Sequence, residues 1–349
     1  MQQQTYLNQI WQRLKKNMSA MFGLIILAIA FLVAVFGYLI APDSSPNADL
    51  QTVEIQAKKP GYSQLFLKTP DQKEIPIKDY QIKNDSLIVN KFIDDDTSVV
   101  QYYSINQVTN NHPEKIKEHV FTKKYWLGTD KFGRDILSRL IIGTRVSLAV
   151  GLIAVVISLT IGIILGTFAG YYRKWVDAVI MWLINVVWSI PTLLLVFAIT
   201  LALGKGFWQI FIAVGLTMWV NVARLVRGQI MAIKELEYVQ AAKALGFTDL
   251  RIIVKHLLPN IIGPILVIAA SNFATAIIIE AGLSFLGIGV QPPQPSWGLM
   301  IKENYNFIIT HNPMLALIPG LAIILLVLAI NLLGNGLRDA TDVRSTTTI

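Results

Sequence analysis

Acidic residues and histidines are the side chains of this sequence that could carry acid–base or metal chemistry. Asp130 and Asp135 lie close together in one segment, and paired carboxylates are one arrangement that general acid–base catalysis uses. Arg134 and Arg139 stand beside them, and Asp135 with Arg139 has the i,i+4 spacing of a helical ion pair. We therefore favour structural ion pairing over catalysis for both carboxylates.

The other patterns of catalytic or metal-binding proteins are missing from the sequence. The four histidines are scattered, no H-E-x-x-H or G-x-S-x-G motif occurs, and there is no cysteine. No G-x-x-x-x-G-K-[ST] loop occurs either, so this chain cannot cradle ATP phosphates in that way. We expect no catalytic residues, no metal site and no cofactor bound by this chain.

These residues belong to a chain that is unusually apolar. Of its 349 residues, 54% are hydrophobic and 15% are charged, whereas a soluble domain carries about 25% charged residues. The polar residues are too few to cover a globule, which excludes a soluble enzyme, a disordered chain and a nucleic-acid binder. The composition predicts a membrane protein, and the net charge of +8 has to be assigned to particular loops.

Six apolar runs reach the length of about 20 residues that a transmembrane helix needs. They cover residues 21–40, 146–172, 178–204, 207–223, 261–279 and 314–336. The first run follows basic residues, as in a signal peptide, but it is longer than a typical signal core, and Pro42 follows Ala41 where a small residue would be needed for cleavage. We interpret it as a retained first helix, and six helices place both termini on the same side.

The placement of basic residues predicts which side that is. Short segments on the side of the termini hold thirteen basic residues, whereas those on the other side hold only Lys205 and Lys302. Basic residues accumulate in cytoplasmic loops, so both termini of this multi-pass inner-membrane protein should be cytoplasmic.

A long segment, 43–145, is nearly neutral, and its part 43–125 has the composition of a soluble domain. Alternating apolar and polar residues at 52–56, 87–92 and 99–105 predict strands, and turn-forming pairs separate them. We expect a small β-rich extracytoplasmic insert between the first two transmembrane helices. Contact with a substrate-delivery partner and a spacer with no direct role are both open interpretations.

The loop 224–259 contains the sequence EYVQAAKALG, which predicts a short helix ending at Gly246. Its helical spacing gives a narrow apolar stripe of mostly small residues: Tyr238, Ala241, Ala242 and Leu245. Thr248 or Asp249 can begin the next helix. The pattern alone leaves two interpretations open, a surface for another protein and a helix resting on lipid headgroups.

Polar residues within the predicted spans could line a translocation path. The uncharged candidates are Asn185, Ser189, Ser271, Asn272 and Thr275. Small polar side chains also hold helices together, so each residue retains that alternative. Glu280 is the acidic residue near the end of the fifth span, and we favour a structural role over substrate contact.

Segment 127–148, which reads LGTDKFGRDILSRLIIGTRVSL, predicts a turn at Gly128 and then a short amphipathic helix from Asp135. We expect this helix to lie at the membrane interface, ahead of the second span.

Three segments resemble a known family. Gln240-Ala241-Ala242, Gly246 and Leu258-Pro259 match the spacing of the EAA loop of binding-protein-dependent ABC importer permeases, although Gln240 replaces a glutamate and His256 an isoleucine. Segments 127–148 and 280–301 are similar to signature segments of the dipeptide/oligopeptide/nickel permease group and of its C-type subunit.

The resemblance implies the six-helix fold of type I ABC importer permeases, with residues 1–42 as the N-terminus and first helix and 126–349 as the permease core. It also implies that the short helix docks on an ATPase subunit through a set of residues in the loop: Glu237, Tyr238, Gln240, Ala241, Ala242, Leu245 and Gly246. The implied partners are a second homologous permease, two ABC ATPase subunits that use ATP and Mg, and an extracytoplasmic substrate-binding protein. Dipeptides or oligopeptides are the implied substrates. Nickel, glutathione or another small solute, and a self-sufficient secondary transporter, are the alternatives.

Overall fold

The computed structural model describes residues 6–69, 71, 73–83, 86–109, 116–204, 206–309 and 312–341. Lys205, which entered the charge-based topology, lies outside these ranges. The chain is mostly helical, and its helices are α1 (Tyr6–Lys16), α2 (Met18–Ile40), α3 (Ile105–Val108), α4 (Ile116–His119), α5 (Ile136–Tyr172), α6 (Lys174–Trp188), α7 (Thr192–Leu203), α8 (Phe207–Ile233), α9 (Glu237–Ala244), α10 (Asp249–Ile252), α11 (Ile262–Phe285), α12 (Trp297–Asn304) and α13 (Met314–Thr341).

Five helical stretches of the described chain are long and apolar enough to cross a membrane. They are Met18–Ile40, Ile136–Tyr172, Phe207–Ile233, Asp249–Phe285 and Met314–Thr341. The fourth joins α10 to α11 through a π-helical turn, Ile253–Leu257, and a 3-10 turn, Leu258–Ile261.

The predicted span 178–204 is not a single straight helix. Helices α6 and α7 meet at an angle of 91°, and counting this bent pair as one span brings the total to six. Pro191 precedes α7 and supplies no backbone N–H, and a residue before proline disfavours the helical conformation. The helix therefore stops at the Ser189–Pro191 step, a break that apolarity alone does not reveal.

The expectation of a separate interfacial helix before the second span is wrong. Helix α5 begins at Ile136 and continues without interruption to Tyr172. The side chain of Asp135 caps its first turn: Asp135 Oδ2 accepts the backbone N–H of Ser138 at 2.9 Å.

The chain divides into two compact units. The first, here called the membrane unit, comprises Met1–Val35, Thr144–Leu299 and Gly320–Ile349; the second, the insert unit, comprises Phe36–Gly143 and Met300–Pro319. The predicted insert boundary at 125 thus lies within a larger unit, which also takes in a segment near the C-terminal helix.

Helix α8 is the centre of the membrane unit, since 67% of its most apolar stretch is buried. It packs against α7 and α11, and α5 approaches it through three glycines one turn apart, Gly162, Gly166 and Gly170. A Cβ atom at Gly166 would lie 2.4 Å from the carbonyl oxygen of Ala223. Small residues at this spacing let two helix backbones approach closely.

The insert unit contains an antiparallel sheet, as the sequence predicts. Its strands are β1 (Tyr62–Lys68), β2 (Glu74–Lys83), β3 (Ser86–Phe92), β4 (Ser98–Ser104) and β5 (Val120–Tyr125), in the order β4-β3-β2-β1-β5. The strands predicted at 87–92 and 99–105 are confirmed as β3 and β4. The strand predicted at 52–56 is wrong: Val53–Ile55 is a 3-10 turn whose buried Ile55 packs against Phe66 of β1.

A buried ion network lies in the insert unit and corrects the predicted Asp135–Arg139 pair. Arg134 contacts Asp130 at 2.6 Å, Glu303 at 2.6 Å and Asp49 at 3.1 Å. Arg139, which is 1% exposed, contacts the same Glu303 at 3.2 Å. Ion pairing is therefore confirmed for Asp130, whereas the carboxylate of Asp135 serves as a helix cap.

Candidate functional site

Helix α9 presents two different faces. Val239 (3% exposed) and Ala242 (5%) pack inward. Tyr238, Ala241 and Leu245 are exposed, and Leu245 is 75% exposed. The stripe predicted from the sequence is thus divided, because Ala242 lies on the inner face while its other three members form a continuous outer face.

A Schellman motif ends this helix at Gly246. The N–H of Phe247 donates to the carbonyl of Ala242 at 3.2 Å, and the N–H of Gly246 donates to that of Lys243 at 3.0 Å. Gly246 has φ +77°, a conformation that glycine adopts without steric cost. The predicted role of Gly246 as the residue after the helix is confirmed.

The inner face of α9 belongs to a buried apolar cluster of the membrane unit. Val239 and Ala242 pack with Ile230 of α8, Ile252 of α10 and Leu257 of the π-helical turn. The short helix is therefore packed against three neighbouring elements: α8, α10 and the π-helical turn that leads to α11.

Polar contacts hold the same region to the end of α5. Tyr171 donates its hydroxyl proton to Asp249 Oδ1 at 2.6 Å, and Lys234 Nζ donates to the carbonyl of Tyr171 at 2.5 Å. Burial is the main cause that lowers the pKa of Lys234, with Arg173 and Lys243 contributing repulsion. Asp249, named from the sequence as a helix start, begins α10.

The polar residues predicted for docking have contacts of their own. Gln240 donates from Nε2 to the carbonyl of Lys234 at 2.9 Å, so its amide supports the turn before α9. Tyr238 accepts a hydrogen bond from Asn260 Nδ2 at 3.1 Å. Glu237 is exposed in the first turn of α9, beside the partial positive charge of the helix N-terminus.

Two ion pairs that the sequence reasoning missed support this loop. Arg227 of α8 forms a bidentate pair with Asp177 of α6, with distances of 2.5 and 2.6 Å. Arg173 contacts Glu235 at 2.6 Å. The charges were visible in the sequence, but their partners lie too far apart in the chain for spacing to identify them.

A second feature of the membrane unit is a cavity of about 260 Å³ at the bend between α6 and α7. Thr275 of α11 lines it, together with Thr217 and Asn221 of α8, and Trp188 and Thr192 stand at the bend itself. Thr275 was predicted as a path residue, whereas Thr217 and Asn221 were not, because α8 gave no sequence signal that distinguished its polar positions.

The other predicted path residues have different surroundings. Asn272 is buried and donates from Nδ2 to Ser158 Oγ at 3.3 Å, a contact between α11 and α5. Asn185 accepts from Arg224 Nη2 at 3.3 Å, and the exposed Ser189 donates to the carbonyl of Val186 at 2.8 Å. Ser271 is exposed on α11. Thr275 is thus the one member of the predicted set that lines this cavity.

Glu280 is fully buried in α11. Its Oε1 accepts the hydroxyl proton of Ser284 at 2.7 Å, and Ser284 Oγ accepts the N–H of Val290 at 3.0 Å. The hydroxyl of Ser284 therefore links Glu280 to the turn after α11, which agrees with the structural role favoured from the sequence. Within the described residues there is no group of three or more acidic residues or histidines that could hold a metal ion.

These features belong to a membrane transport subunit, and comparison with known proteins identifies its family. The chain belongs to the family described as the inner membrane component of binding-protein-dependent transport systems, whose model matches residues 162–346. Residues 5–57 match the N-terminal transmembrane domain of oligopeptide transport permease C. The resemblance drawn from the EAA loop and the two signature segments is confirmed.

The relatives in this family are permease proteins. The chain is 43% identical over 218 residues to the glutathione transport system permease protein GsiD of Pectobacterium atrosepticum, covering 62% of this chain and 72% of that protein. It is 43% identical to the dipeptide permease DppC of Alkalihalophilus pseudofirmus and 40% identical to the oligopeptide permease OppC of Bacillus subtilis, covering 63% of this chain and 72% of each. The solved structure of the inward-facing MetNI methionine ABC transporter matches with a TM-score of 0.47 and 19% identity, covering 58% of this chain and 96% of that one.

Proposed function

We propose that this chain is a transmembrane permease subunit of an ATP-driven importer and that α9 is its coupling helix. The outer face of α9 carries the proposal: Tyr238, Ala241 and Leu245 are exposed together on a helix whose inner face is fixed to the permease core. An exposed Leu next to small residues is suited to a shallow groove of another protein.

The attachment of α9 supports a mechanical role. ATP-driven closure of two ATPase subunits would move the outer face, and Val239 and Ala242 would pass the movement to α8 and to α10. The Schellman motif at Gly246 keeps the helix end rigid, so that displacement is not absorbed by fraying. The chain supplies a bistable element and a path, and the nucleotide chemistry is that of the partners.

The family supports the remaining parts of the assembly. We propose the six-helix type I permease arrangement, with the α6–α7 pair as one bent span and both termini in the cytoplasm. The partners are a second homologous permease, two ABC ATPase subunits that use ATP and Mg, and an extracytoplasmic substrate-binding protein. The strands of the insert unit are then extracytoplasmic.

Dipeptides or oligopeptides are the substrates that we propose. The dipeptide and oligopeptide permeases among the relatives support them. Glutathione is the second candidate, because a glutathione permease matches this chain at 43% identity. A self-sufficient secondary transporter is not favoured, since chains of this family take part in binding-protein-dependent systems.

The test is reconstitution of the chain with its companion permease, ATPases and binding protein in proteoliposomes. Uptake of a labelled dipeptide, a labelled oligopeptide and glutathione is measured with and without ATP. We expect ATP-dependent uptake by the full assembly and none by this chain alone. Uptake by the lone chain would contradict the proposal.

The variant Leu245→Asp tests the docking face in the same assembly. Because Leu245 is exposed, the substitution should leave the thermal unfolding midpoint of the chain unchanged while it weakens ATPase binding about tenfold or more, a loss typical of a central apolar contact. Val239→Asp is the matched control, since the same change on the buried inner face should destabilise the chain itself. Unchanged ATPase binding by Leu245→Asp would contradict the docking role.

A further inference from the structure

The insert unit contains a cavity to which the proposed function assigns no role. Its volume is about 520 Å³, within the range of about 300–1,000 Å³ that small-molecule sites occupy. The cavity lies between the segment that follows α2, the strands β2, β3 and β5, and the residue that precedes α5. Its lining is rich in charged side chains of both signs.

Asp135 is the unusual member of the lining. It is 4% exposed, and its Oδ2 accepts two hydrogen bonds, from the backbone N–H and the hydroxyl of Ser138. These two bonds account for the capping of α5. Its Oδ1 is also buried and has no hydrogen-bond partner among the described residues. A helix cap explains one oxygen of this carboxylate but not the other.

The other polar groups of the lining do not hydrogen-bond that oxygen. The carboxylate of Asp43 is occupied, because its two oxygens accept the backbone N–H groups of Ser45 at 2.8 Å and Leu50 at 3.1 Å. Two lysines of the lining are also paired within the insert unit: Lys91 contacts Glu54 at 3.2 Å, and Lys123 contacts Glu74 at 3.6 Å.

One basic side chain of the lining remains available. Lys73 is exposed, and it takes part in none of the ion pairs formed by the described residues. The cavity therefore offers a buried acceptor on Asp135 and an accessible cation on Lys73. Leaving a buried charged oxygen unpaired is costly, and a donor from a ligand would remove that cost.

We propose that this cavity binds a small zwitterion, a free amino acid or a short peptide, with its primary ammonium group on Asp135 Oδ1 and its carboxylate toward Lys73. An ammonium fits better than a metal ion, because Asp135 supplies a single free oxygen and metal ions need several ligands. The site lies in the insert unit and is separate from the cavity at the α6–α7 bend, so it goes beyond the proposed import path.

The test uses the full chain in lipid nanodiscs without ATPases, so that its result does not depend on the import proposal. Isothermal titration calorimetry measures the binding of alanine, dialanine, tetra-alanine and N-acetyl-dialanine to the chain. We expect alanine or dialanine to bind, and the comparison of their affinities shows whether the ligand is a free amino acid or a peptide. The acetylated peptide should bind at least about tenfold more weakly, because it lacks the ammonium group. Equal binding of dialanine and its acetylated form, or no binding of any probe, would overturn the proposal.

Two variants locate the site. Asp135→Asn retains a capping side chain but removes the charge, and it should weaken dialanine binding about tenfold or more. Asp96→Asn, the same change at an exposed position outside the cavity, should bind as the wild type does. Lys73→Met should weaken the binding of dialanine more than that of dialanine amide, which has no carboxylate. Equal losses of affinity would overturn the placement of the carboxylate. If Asp135→Asn does not fold, the acetylation comparison on the unaltered chain still decides the proposal.

Discussion

Arg134 Nη2 lies 2.6 Å from Glu303 Oε2, although 169 positions separate the two residues in the chain. The contact ties the segment ahead of α5 to the end of α12 within the insert unit. Arg139 and Asp130 complete the network, and both arginines and Asp130 are buried. Burial of two charged arginines is tolerated in such a site because carboxylates surround each of them.

Replacement of Arg134 by methionine should destabilise the insert unit strongly. The change leaves Asp49, Asp130 and Glu303 with Arg139 as their sole cation among the described residues of the network, and removal of one member of a buried ion group costs about 3–5 kcal/mol. The measurement is chemical unfolding of the purified chain, followed by the fluorescence of Trp126 with the other tryptophans replaced. Arg134→Lys is the control, and it should lose less stability than the methionine variant because it retains the charge. A methionine variant as stable as the wild type would show that the network contributes nothing.

Gly246 should tolerate substitution in proportion to how readily the new residue adopts a positive φ. A Cβ atom built there has no described atom within 4 Å, so the cost is backbone strain of about 1–2 kcal/mol for a residue such as valine. We expect Gly246→Val to lower transport per ATP hydrolysed, and Gly246→Asn to retain more of it, because asparagine tolerates this conformation. The measurement is the ratio of uptake to ATPase rate in the reconstituted assembly.

Gly228→Ala provides the matched control for Gly246. This glycine also has open space around it but lies inside α8, where alanine favours the helix. Its coupling ratio should equal that of the wild type. If Gly246→Val couples as well as Gly228→Ala, the rigid end of α9 has no role in coupling.

The close approach of α5 and α8 predicts a steep size limit at Gly166. An alanine Cβ would lie 2.4 Å from the backbone oxygen of Ala223, so the helices would have to separate, at a cost of about 1–3 kcal/mol, and a leucine should prevent folding. Thermal unfolding of the detergent-solubilised chain measures the effect. Gly320→Ala, in α13 with open space around it, should be neutral by comparison. Equal midpoints for the two alanine variants would show that α5 and α8 do not depend on this contact.

Burial raises the pKa of Asp135, with a further contribution from Asp43, while the hydrogen bonds from Ser138 and the charge of Lys123 act in the opposite direction. Between the unfolded pKa of about 3.9 and this raised value, the folded chain holds a proton that the unfolded chain has released. Stability should therefore fall as the pH rises through that interval.

Asp135→Asn removes the titrating group, so the variant should show a smaller decrease in unfolding midpoint between pH 4 and pH 7 than the wild type. Asp96→Asn should follow the wild-type pH dependence. Identical pH dependence in wild type and Asp135→Asn would mean that this carboxylate titrates at its ordinary pKa in the folded chain.

The sequence by itself determined the features that depend on composition and local spacing. Apolar length marked the spans, alternation marked β3 and β4, and the position of Gly246 marked the end of α9, because each signal arises from residues that are neighbours in the chain. The family was also readable from three short segments, and the match over residues 162–346 confirms it.

Tertiary structure decided everything that depends on which distant residues meet. Spacing suggested that Asp135 would pair with Arg139, but Arg139 contacts Glu303 instead, and one oxygen of Asp135 is buried without a hydrogen-bond partner among the described residues. Likewise, Ala241 and Ala242 are neighbouring alanines of the same predicted stripe. Only the packing of α9 against α8 and α10 shows that Ala242 is buried and Ala241 is exposed. A linear pattern reports how apolar a face is, whereas the chain's own folding decides which part of that face is already covered and which part remains for a partner.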